Sequence, residues 1–512
     1  MQSIRELIEK INSGKISSQE HLEREKIRMA RKYRLNKVIK NADILLYAKE
    51  SGIEIKNLQL LKTKPVRTLS GVANIAVMWM PNDAKGVGVS CPGECIYCPR
   101  GDDSPKSYTG VEPATLRAKR NNYDPFLQIQ NRLKQLQAIG HATDKCELII
   151  MGGTFLSWGK NLQELFVKRC LDAMNEKESS SLIEAQRLNE IAKHRCIGLT
   201  IETRADYCKK KHIEQILKLG CTRVEIGVQS TDDRLLKKIN RGHSAGDNIK
   251  AIRLLKKAGL KVCVHWMPGL TGLSKLDVKK ELKDFKKLFS NDDYRPDELK
   301  IYPTLVIPNT KLHELWKKGK YKALSSDEAI NLLIEMKKIV PKYVRIKRIS
   351  RDISEKAVVA GPKSTNLRQM VHKKMEKSGI VCNCIRCREV RNSRIGEMKL
   401  QKIEYRASDG REVFLSFESD NVIAAFLRLR MNGNAKIREL HVYGEMAPLG
   451  KSGDVQHRGL GKRLLEEAER IAKSRKIRTV QITSGIGARE YYRKLGYELC
   501  GSYMLKRTKT NP

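Results

Sequence analysis

The chain has 512 residues, 40% of them hydrophobic, and a mean hydropathy of −0.48. That is too long for one ordinary core and suits two or three soluble domains, and no apolar run reaches the roughly 18 residues a membrane helix needs. The formal charge is +42, from 100 basic against 58 acidic residues, an excess that repels itself unless a polyanion shares it.

Nucleic acid is therefore the expected partner. A lysine bias of heat-adapted cells would raise glutamate alongside, and here the acids do not keep pace. A membrane surface is the weaker rival, since no amphipathic helix with an aromatic anchor stands out. The opening MQSIRELIEKINSG carries acids and no apolar block, so a cytoplasmic chain without a secretory signal is expected. Thirteen cysteines, an odd number with two close groups of three, predict metal ligation and scattered core thiols in place of a disulfide framework.

Residues 1–70 read as a basic helical region that binds nucleic acid. Ile4, Leu7, Ile8 and Ile11 recur at helical spacing. Ser17 and Glu20 suggest a capping box before a second helix. Arg24, Lys26, Arg28, Arg31, Lys32, Arg34, Lys37 and Lys40 follow, and the density of one sign predicts a phosphate-tracking surface over a merely solvated face.

Over residues 71–340 short β-branched runs alternate with helical stretches. The strands expected are ANIAVMWM, CELIIMGG, CIGLTIE, TRVEIGVQ, KVCVHWM and ELKIYPT, with NRLKQLQAIG and IKAIRLLKKAGL among the helices between them. Six strand–helix units predict an incomplete parallel (β/α)6 barrel whose site lies at the C-terminal ends of the strands. Residues 341–395 form a basic, less regular linker, and a second α/β pattern fills 396–512.

The segment CPGECIYCPR follows the first strand. Cys91, Cys95 and Cys98 stand in a C-x3-C-x2-C spacing that suits soft thiolate ligation of an iron–sulfur cluster. Zinc would need a fourth protein ligand, and none is close in sequence. With Tyr97 between the last two cysteines, the loop resembles the radical-SAM superfamily. That resemblance implies a [4Fe–4S] cluster whose open iron is chelated by S-adenosylmethionine. Other strand ends fit it: Gly152 and Gly153 for the methionine amino group, Glu202 and Arg204 in ETRAD for ribose and carboxylate, Gln229 after the fourth strand, and HWMPGL from His265 after the fifth. Glycine permits the close backbone approach such a ligand needs.

Near the C-terminus QHRGLG opens a strongly periodic helix. Glycines bare the N–H groups there and the helix N-terminus carries partial positive charge, a cradle for pyrophosphate. With the strand KIRELHVYG before it, TVQITSG after it, and then REYYRKLGYE, the order resembles the GNAT acetyltransferases. The resemblance implies acetyl-CoA on Gln456, Gly459, Leu460 and Gly461, and its pantetheine arm against Glu439, Leu440, His441 and Val442. It also implies a tyrosine that protonates the CoA thiolate, for which Tyr491 and Tyr492 compete. Glu439 and His441 are less favoured candidates for a base.

A radical-SAM barrel followed by a GNAT domain, with YTGVEPATLRAKR, MGGTFL, ETRAD, ELHVYGEM and SGIGAREYYRKLGYE, resembles the Elongator catalytic-subunit family. That resemblance implies a tRNA-modifying acyltransferase that makes 5-carboxymethyluridine at the anticodon wobble position. A 5′-deoxyadenosyl radical takes hydrogen from the acetyl methyl, the carbon radical adds to uridine C5, and thioester hydrolysis finishes the product. Lys145 matches a lysine that the family uses towards acetyl-CoA. CNCIRCRE places Cys382, Cys384 and Cys387 as ligands of a structural Zn2+, with His372 the nearest candidate for the fourth. Eukaryotic members space the first two cluster cysteines more widely. The ordinary spacing here indicates an archaeal or bacterial type, so the accessory Elongator subunits are not carried over. The competing expectations are a protein lysine acetyltransferase of histone type, and a tRNA-binding protein with degenerate catalytic loops.

Overall fold

The computed structural model describes residues 1–63, 68, 71–79, 91–101, 103–390, 396–443 and 459–508. Two seven-stranded sheets organise the chain. The first comprises β1 (Ala73–Met78), β2 (Lys145–Met151), β3 (Arg195–Thr203), β4 (Arg223–Gln229), β5 (Lys261–Trp266), β6 (Glu298–Ile301) and β7 (Arg345–Ile349). They lie side by side in chain order, every pair parallel. All six predicted strands are present, and β7 extends the sheet from the segment expected to be linker. β1 and β7 are not paired with each other among the described residues, so the barrel is a partial one.

Strand alternation decides what fills this barrel. On β2, Cys146, Leu148 and Ile150 are buried outward beneath helices, while Lys145, Glu147 and Ile149 alternate with them and face inward. The same period turns Arg223 and Glu225 of β4, and Glu298 and Lys300 of β6, into the interior. Arg223 pairs with Glu298 at 3.4 Å and Lys347 with Glu298 at 3.6 Å. This explains why β7 escaped the sequence reading. Its RIKRI pattern looked like surface charge, but Lys347 faces the barrel carboxylates and Ile346 the helical layer. Arg368 and Arg388 of the linker are likewise structural. Arg368 donates to the carbonyls of Ile346 and Lys347, and Arg388 is held by Glu418 at 2.7 Å.

The second sheet comprises β8 (Lys399–Ala407), β9 (Gly410–Ser419), β10 (Val422–Asn432), β11 (Asn434–Val442), β12 (Thr479–Ile482), β13 (Glu498–Cys500) and β14 (Tyr503–Arg507), in the order β13-β14-β12-β11-β10-β9-β8. Ser408–Asp409 and Asp420–Asn421 turn the first two hairpins with both residues at positive φ, the geometry that matches strand twist. The amphipathic helix Leu460–Ser474 buries Leu464, Leu465, Ala468 and Ile471 against this sheet.

At the N-terminus helices Gln2–Asn12, Gln19–Lys32 and Asn41–Glu50 enclose a small core of their own around Leu7, Ile8, Leu22 and Met29. The second helix is capped by Ser18, whose hydroxyl accepts from the His21 N–H at 3.1 Å, one residue later than the Ser17 box expected. Lys26 is not part of a phosphate-facing surface. It is buried and bonds to Glu23 and Asn41.

The two sheets are fastened by ions. Arg438 of β11 forks onto Asp297, at the foot of β6, with bonds of 2.6 and 2.7 Å, and also bonds Glu412 at 2.7 Å. Lys256 approaches Asp297 at 3.4 Å and Glu412 at 3.7 Å. Arg428 reaches Glu439 at 2.8 Å and the Tyr343 carbonyl at 2.7 Å. Burial alone would raise the Asp297 carboxyl, but Arg438 and Lys256 outweigh it and hold it well below its ordinary range. Its contribution to stability is therefore present above the unfolded-state carboxylate pKa and is lost as pH falls through the depressed folded value. Asp297→Asn should destabilise the chain by about 3–5 kcal/mol, because it strands buried guanidinium charge. Denaturant unfolding with proteolysis at the linker checks this, and a wild-type midpoint would refute it.

Candidate active site at the barrel mouth

The loop after β1 brings Cys91, Cys95 and Cys98 to the C-terminal end of the parallel sheet. Backbone bonds pin it from two sides: the Ile96 N–H donates to the Ile239 carbonyl at 3.1 Å, and the Leu312 N–H donates to the Ile96 carbonyl at 2.9 Å. Ile96 and Tyr97 pack on Leu236, Ile239, Met267 and Leu312. The three thiols line one cavity together with Gly153, Glu202, Arg204, Gln229 and His265. The cysteines and the strand-end residues named from the sequence thus meet at one place, and Gly152 adjoins it.

Local geometry explains the glycines. Gly152 and Gly153 take φ values of +122° and +94°, where side chains are strained. A Cβ on Gly153 would lie 3.1 Å from Cys91 Cβ, and one on Gly152 would overlap the Trp79 indole. A Cβ on Gly93 would overlap the Arg204 guanidinium. Thr154 Oγ1 lies 3.0 Å from Cys91 Sγ, and Arg241 Nη1 donates to Cys95 Sγ at 3.3 Å. Arg241, Lys300 and Arg351 belong to this site or border it and carried no sequence signal, because they lie in loops or read as ordinary strand; Tyr108, which opens the motif YTGVEPATLRAKR, lines it as well. Tyr108 donates to Glu202 at 3.3 Å, and Lys300 donates to the same carboxylate at 3.4 Å.

Do these residues fit an iron–sulfur cluster and a polar ligand? Burial, and then Cys95, push the Cys98 thiol up to about 12, so three bare thiolates would be costly here and a cationic cluster would offset the cost. Among the described residues, Arg204 Nη1, Gln229 Oε1 and the Tyr97 hydroxyl are buried without a hydrogen-bond partner. Unpaired buried groups of this kind are expected where a ligand completes the site. The donor set fits.

The second site lies on β11. This strand pairs with β12 only from Ala435 to Ile437, and the two part beyond that point. In the widening gap Leu440 and Val442 face Gly461, and the Tyr491 hydroxyl is 3.0 Å from where a Gly461 Cβ would be. Gly459 begins the helix at φ +76° and Leu460 is its first residue. Tyr491 is partly exposed and Tyr492 is buried, so Tyr491 has its hydroxyl at the cradle. Glu439 points to the other face, held by Lys261 at 3.2 Å and by Arg428. His441 stacks on Phe426 at 5.8 Å. Gln456 lies outside the described residues.

That other face rests on the floor of the barrel. The segment after β12 is pressed onto the start of β3, where a Cβ on Gly485 or Gly487 would overlap Ile197 or Arg195. Lys145 opens β2 beside Arg195, at this same floor and not at the mouth. Burial lowers its ammonium pKa, partly opposed by Asp144.

In the linker, the sulfur atoms of Cys382, Cys384 and Cys387 lie within 4.8 Å of one another. His372 Nε2 is 3.9 Å from Cys387 Sγ, and Lys337 Nζ is 3.4 Å from the same sulfur. Hydrogen bonds from Cys382 and then Cys387 hold the Cys384 thiol well below its ordinary range. The donor chemistry suits a tetrahedral metal.

Comparison with known proteins identifies the domains. Residues 87–285 match the radical SAM superfamily, 296–377 a radical-SAM C-terminal domain, 385–497 the acetyltransferase (GNAT) family and 1–69 the ELP3 N-terminal domain. A tRNA uridine(34) acetyltransferase of Methanocaldococcus jannaschii is 47% identical, over 98% of this chain and 97% of its own. Elongator complex protein 3 of Homo sapiens is 38% identical over 99% and 96%. The solved structure of the Methanocaldococcus infernus Elp3 with an N-terminal deletion (1–46) superposes with a TM-score of 0.75 at 45% identity, covering 86% of this chain and 99% of that one.

Gly153→Ala tests the cradle. It should lower the iron and acid-labile sulfide bound after anaerobic reconstitution, because it combines a strained φ with a contact on Cys91. Gly159→Ala, with open space around its Cβ, is the control. Equal iron in both variants would show that the glycine is not required for space.

Proposed function

Because the chain belongs to the family of tRNA uridine(34) acetyltransferases and Elongator complex protein 3, we propose that it makes 5-carboxymethyluridine at the wobble position of tRNA from acetyl-CoA. The observation that carries this reading is that the sheet bearing the thioester cradle is seated, by its opposite face, on the floor of the radical-SAM barrel. A [4Fe–4S] cluster on Cys91, Cys95 and Cys98, with S-adenosylmethionine bound, would supply the radical that joins the acetyl methyl carbon to uridine C5.

The chain's own residues do the rest. Gly153 leaves room beside Cys91, and Gly152 makes room for the Trp79 indole behind it. Arg204 Nη1 and Gln229 Oε1, both without partners, are aimed at a polar ligand. Arg241 shares its charge with the Cys95 sulfur. Gly459, Leu460 and Gly461 present the start of a helix to pyrophosphate. Leu440 and Val442 line the arm, and Tyr491 places its hydroxyl at the cradle against bound CoA. Lys145, its ammonium pKa lowered by burial, opens β2 at the barrel floor and is the lysine that would act towards acetyl-CoA. Cys382, Cys384 and Cys387 would hold Zn2+, with His372 the nearest candidate for the fourth ligand, and such a centre would brace the linker against β7.

The alternative, transfer of acetyl to a protein lysine, is less well supported. The face of β11 opposite the cradle lies against the barrel through Lys261 and Glu439, where a peptide acceptor would need access. The charge of +42 suits tRNA, and no described helix is long and apolar enough to cross a membrane. The reading places the enzyme in the cytoplasm with its tRNA.

Anaerobic incubation with tRNA, acetyl-CoA, S-adenosylmethionine and a reductant, followed by nucleoside mass spectrometry, should yield 5-carboxymethyluridine. Cys95→Ala should abolish it and leave tRNA binding largely intact. Acetylated peptide formed without tRNA or S-adenosylmethionine, and no modified uridine, would favour the alternative. Binding of tRNA should weaken steeply and linearly in log–log plots against salt, as phosphate contacts release counterions. Removal of residues 1–70 should flatten that slope, and an unchanged slope would take the N-terminal helices out of the interface.

A further inference from the structure

At the mouth, His265 is the one histidine among the residues lining the cavity. Its Nε2 is 3.0 Å from Glu225 Oε2. Glu225 is buried, on the neighbouring strand β4, and Lys300 of β6 ion-pairs with the same carboxylate. The Tyr302 ring meets the imidazole edge to face at 5.5 Å. A buried carboxylate that accepts from one ring nitrogen fixes the tautomer and leaves the other nitrogen basic.

The other carboxylates of the cavity are committed. Glu112 accepts from the Thr109 and Gly110 N–H groups and from two threonine hydroxyls. Glu202 is bound by Tyr108 and Lys300, and Asp352 is paired with Arg348.

We propose that His265, oriented by Glu225, is the general base that hydrolyses the CoA thioester once the acetyl carbon is joined to the uridine. The inference rests on the function proposed above. There the thioester carbonyl ends one carbon from uracil C5, so the water that releases CoA must be activated at the mouth, far from Tyr491. A water oxygen bonds to the acyl carbon, and its proton passes to His265 Nδ1. The C–S bond then breaks, and the departing sulfur takes its electron pair and that proton. The acid formed releases the second water proton to solvent, so the products are carboxylate, CoA thiol and one proton, with no electron exchanged. His265 faces Glu225 from β4, Lys300 from β6, Tyr302 just beyond β6, and Cys263 from its own strand. Glu225, Cys263 and His265 together have ligand atoms within 4.8 Å. Lys300 against the same carboxylate leaves no charge balance for a divalent cation.

The test uses the full-length reconstituted enzyme with tRNA, acetyl-CoA and S-adenosylmethionine, quenched in acid. His265→Asn should slow formation of 5-carboxymethyluridine by roughly 10²–10⁴-fold. Its CoA thioester should accumulate on the tRNA, convertible to the hydroxamate by hydroxylamine, while 5′-deoxyadenosine still forms. Glu225→Gln should release the same thioester at an intermediate rate with a shifted pH profile. In the apoprotein, histidine 15N NMR should show the Nε2–H tautomer in wild type and a tautomer mixture in Glu225→Gln. Free 5-carboxymethyluridine from His265→Asn at the wild-type rate would overturn the assignment. So would joint loss of 5′-deoxyadenosine and thioester, or a bound divalent ion lost on Cys263→Ser. No modified uridine from the wild type would overturn the proposed function and this inference with it.

Discussion

The structure depends on a buried knot of charge where the barrel meets the second sheet. Asp297 and Glu412 lie between Arg438, Lys256 and Arg430, almost wholly out of water. Such a knot is poor glue compared with hydrocarbon, but it is directional: guanidinium forks fix angle as well as distance. Reaction chemistry split between two domains needs that property. Apolar packing, which also continues from one domain into the other, tolerates sliding, whereas paired forks do not.

How much was legible beforehand follows from how local each signal is. Cys91, Cys95 and Cys98 sit within one loop, so their spacing exposed them, whereas Gly459 and Gly461 needed the strands and helix around them as well. The six strands showed through their β-branched runs. β7 did not, because an edge strand that turns charges inward has the composition of a solvated loop. The interdomain knot was equally hidden: Asp297 and Arg438 are 141 residues apart. Glu439 illustrates the remaining limit. The strand period predicts that it and Leu440 face opposite ways, but only the packing tells which face holds the cradle.

The charge of the chain also reads differently once placed. Lys26, Lys256, Lys337, Arg223, Arg388, Arg428 and Arg438 are all buried, and most lie between carboxylates that neutralise them locally. They contribute to the arithmetic of +42 without contributing to the field seen by a polyanion. What attracts tRNA is the remainder on the surface. A basic count therefore overstates the interface wherever a fold uses arginine as an internal strut.

The glycines at Gly485 and Gly487 carry one more consequence. They press backbone against the first residues of β3 so closely that a methyl group has no place between them. Evolution usually treats an acetyltransferase module as portable, to be appended or exchanged through a linker. This one has surrendered portability. Cut free, it would present unshielded arginines and the apolar Ile486, both shaped to the barrel floor. Exchanging either domain alone would leave those arginines and that close backbone contact without their counterpart.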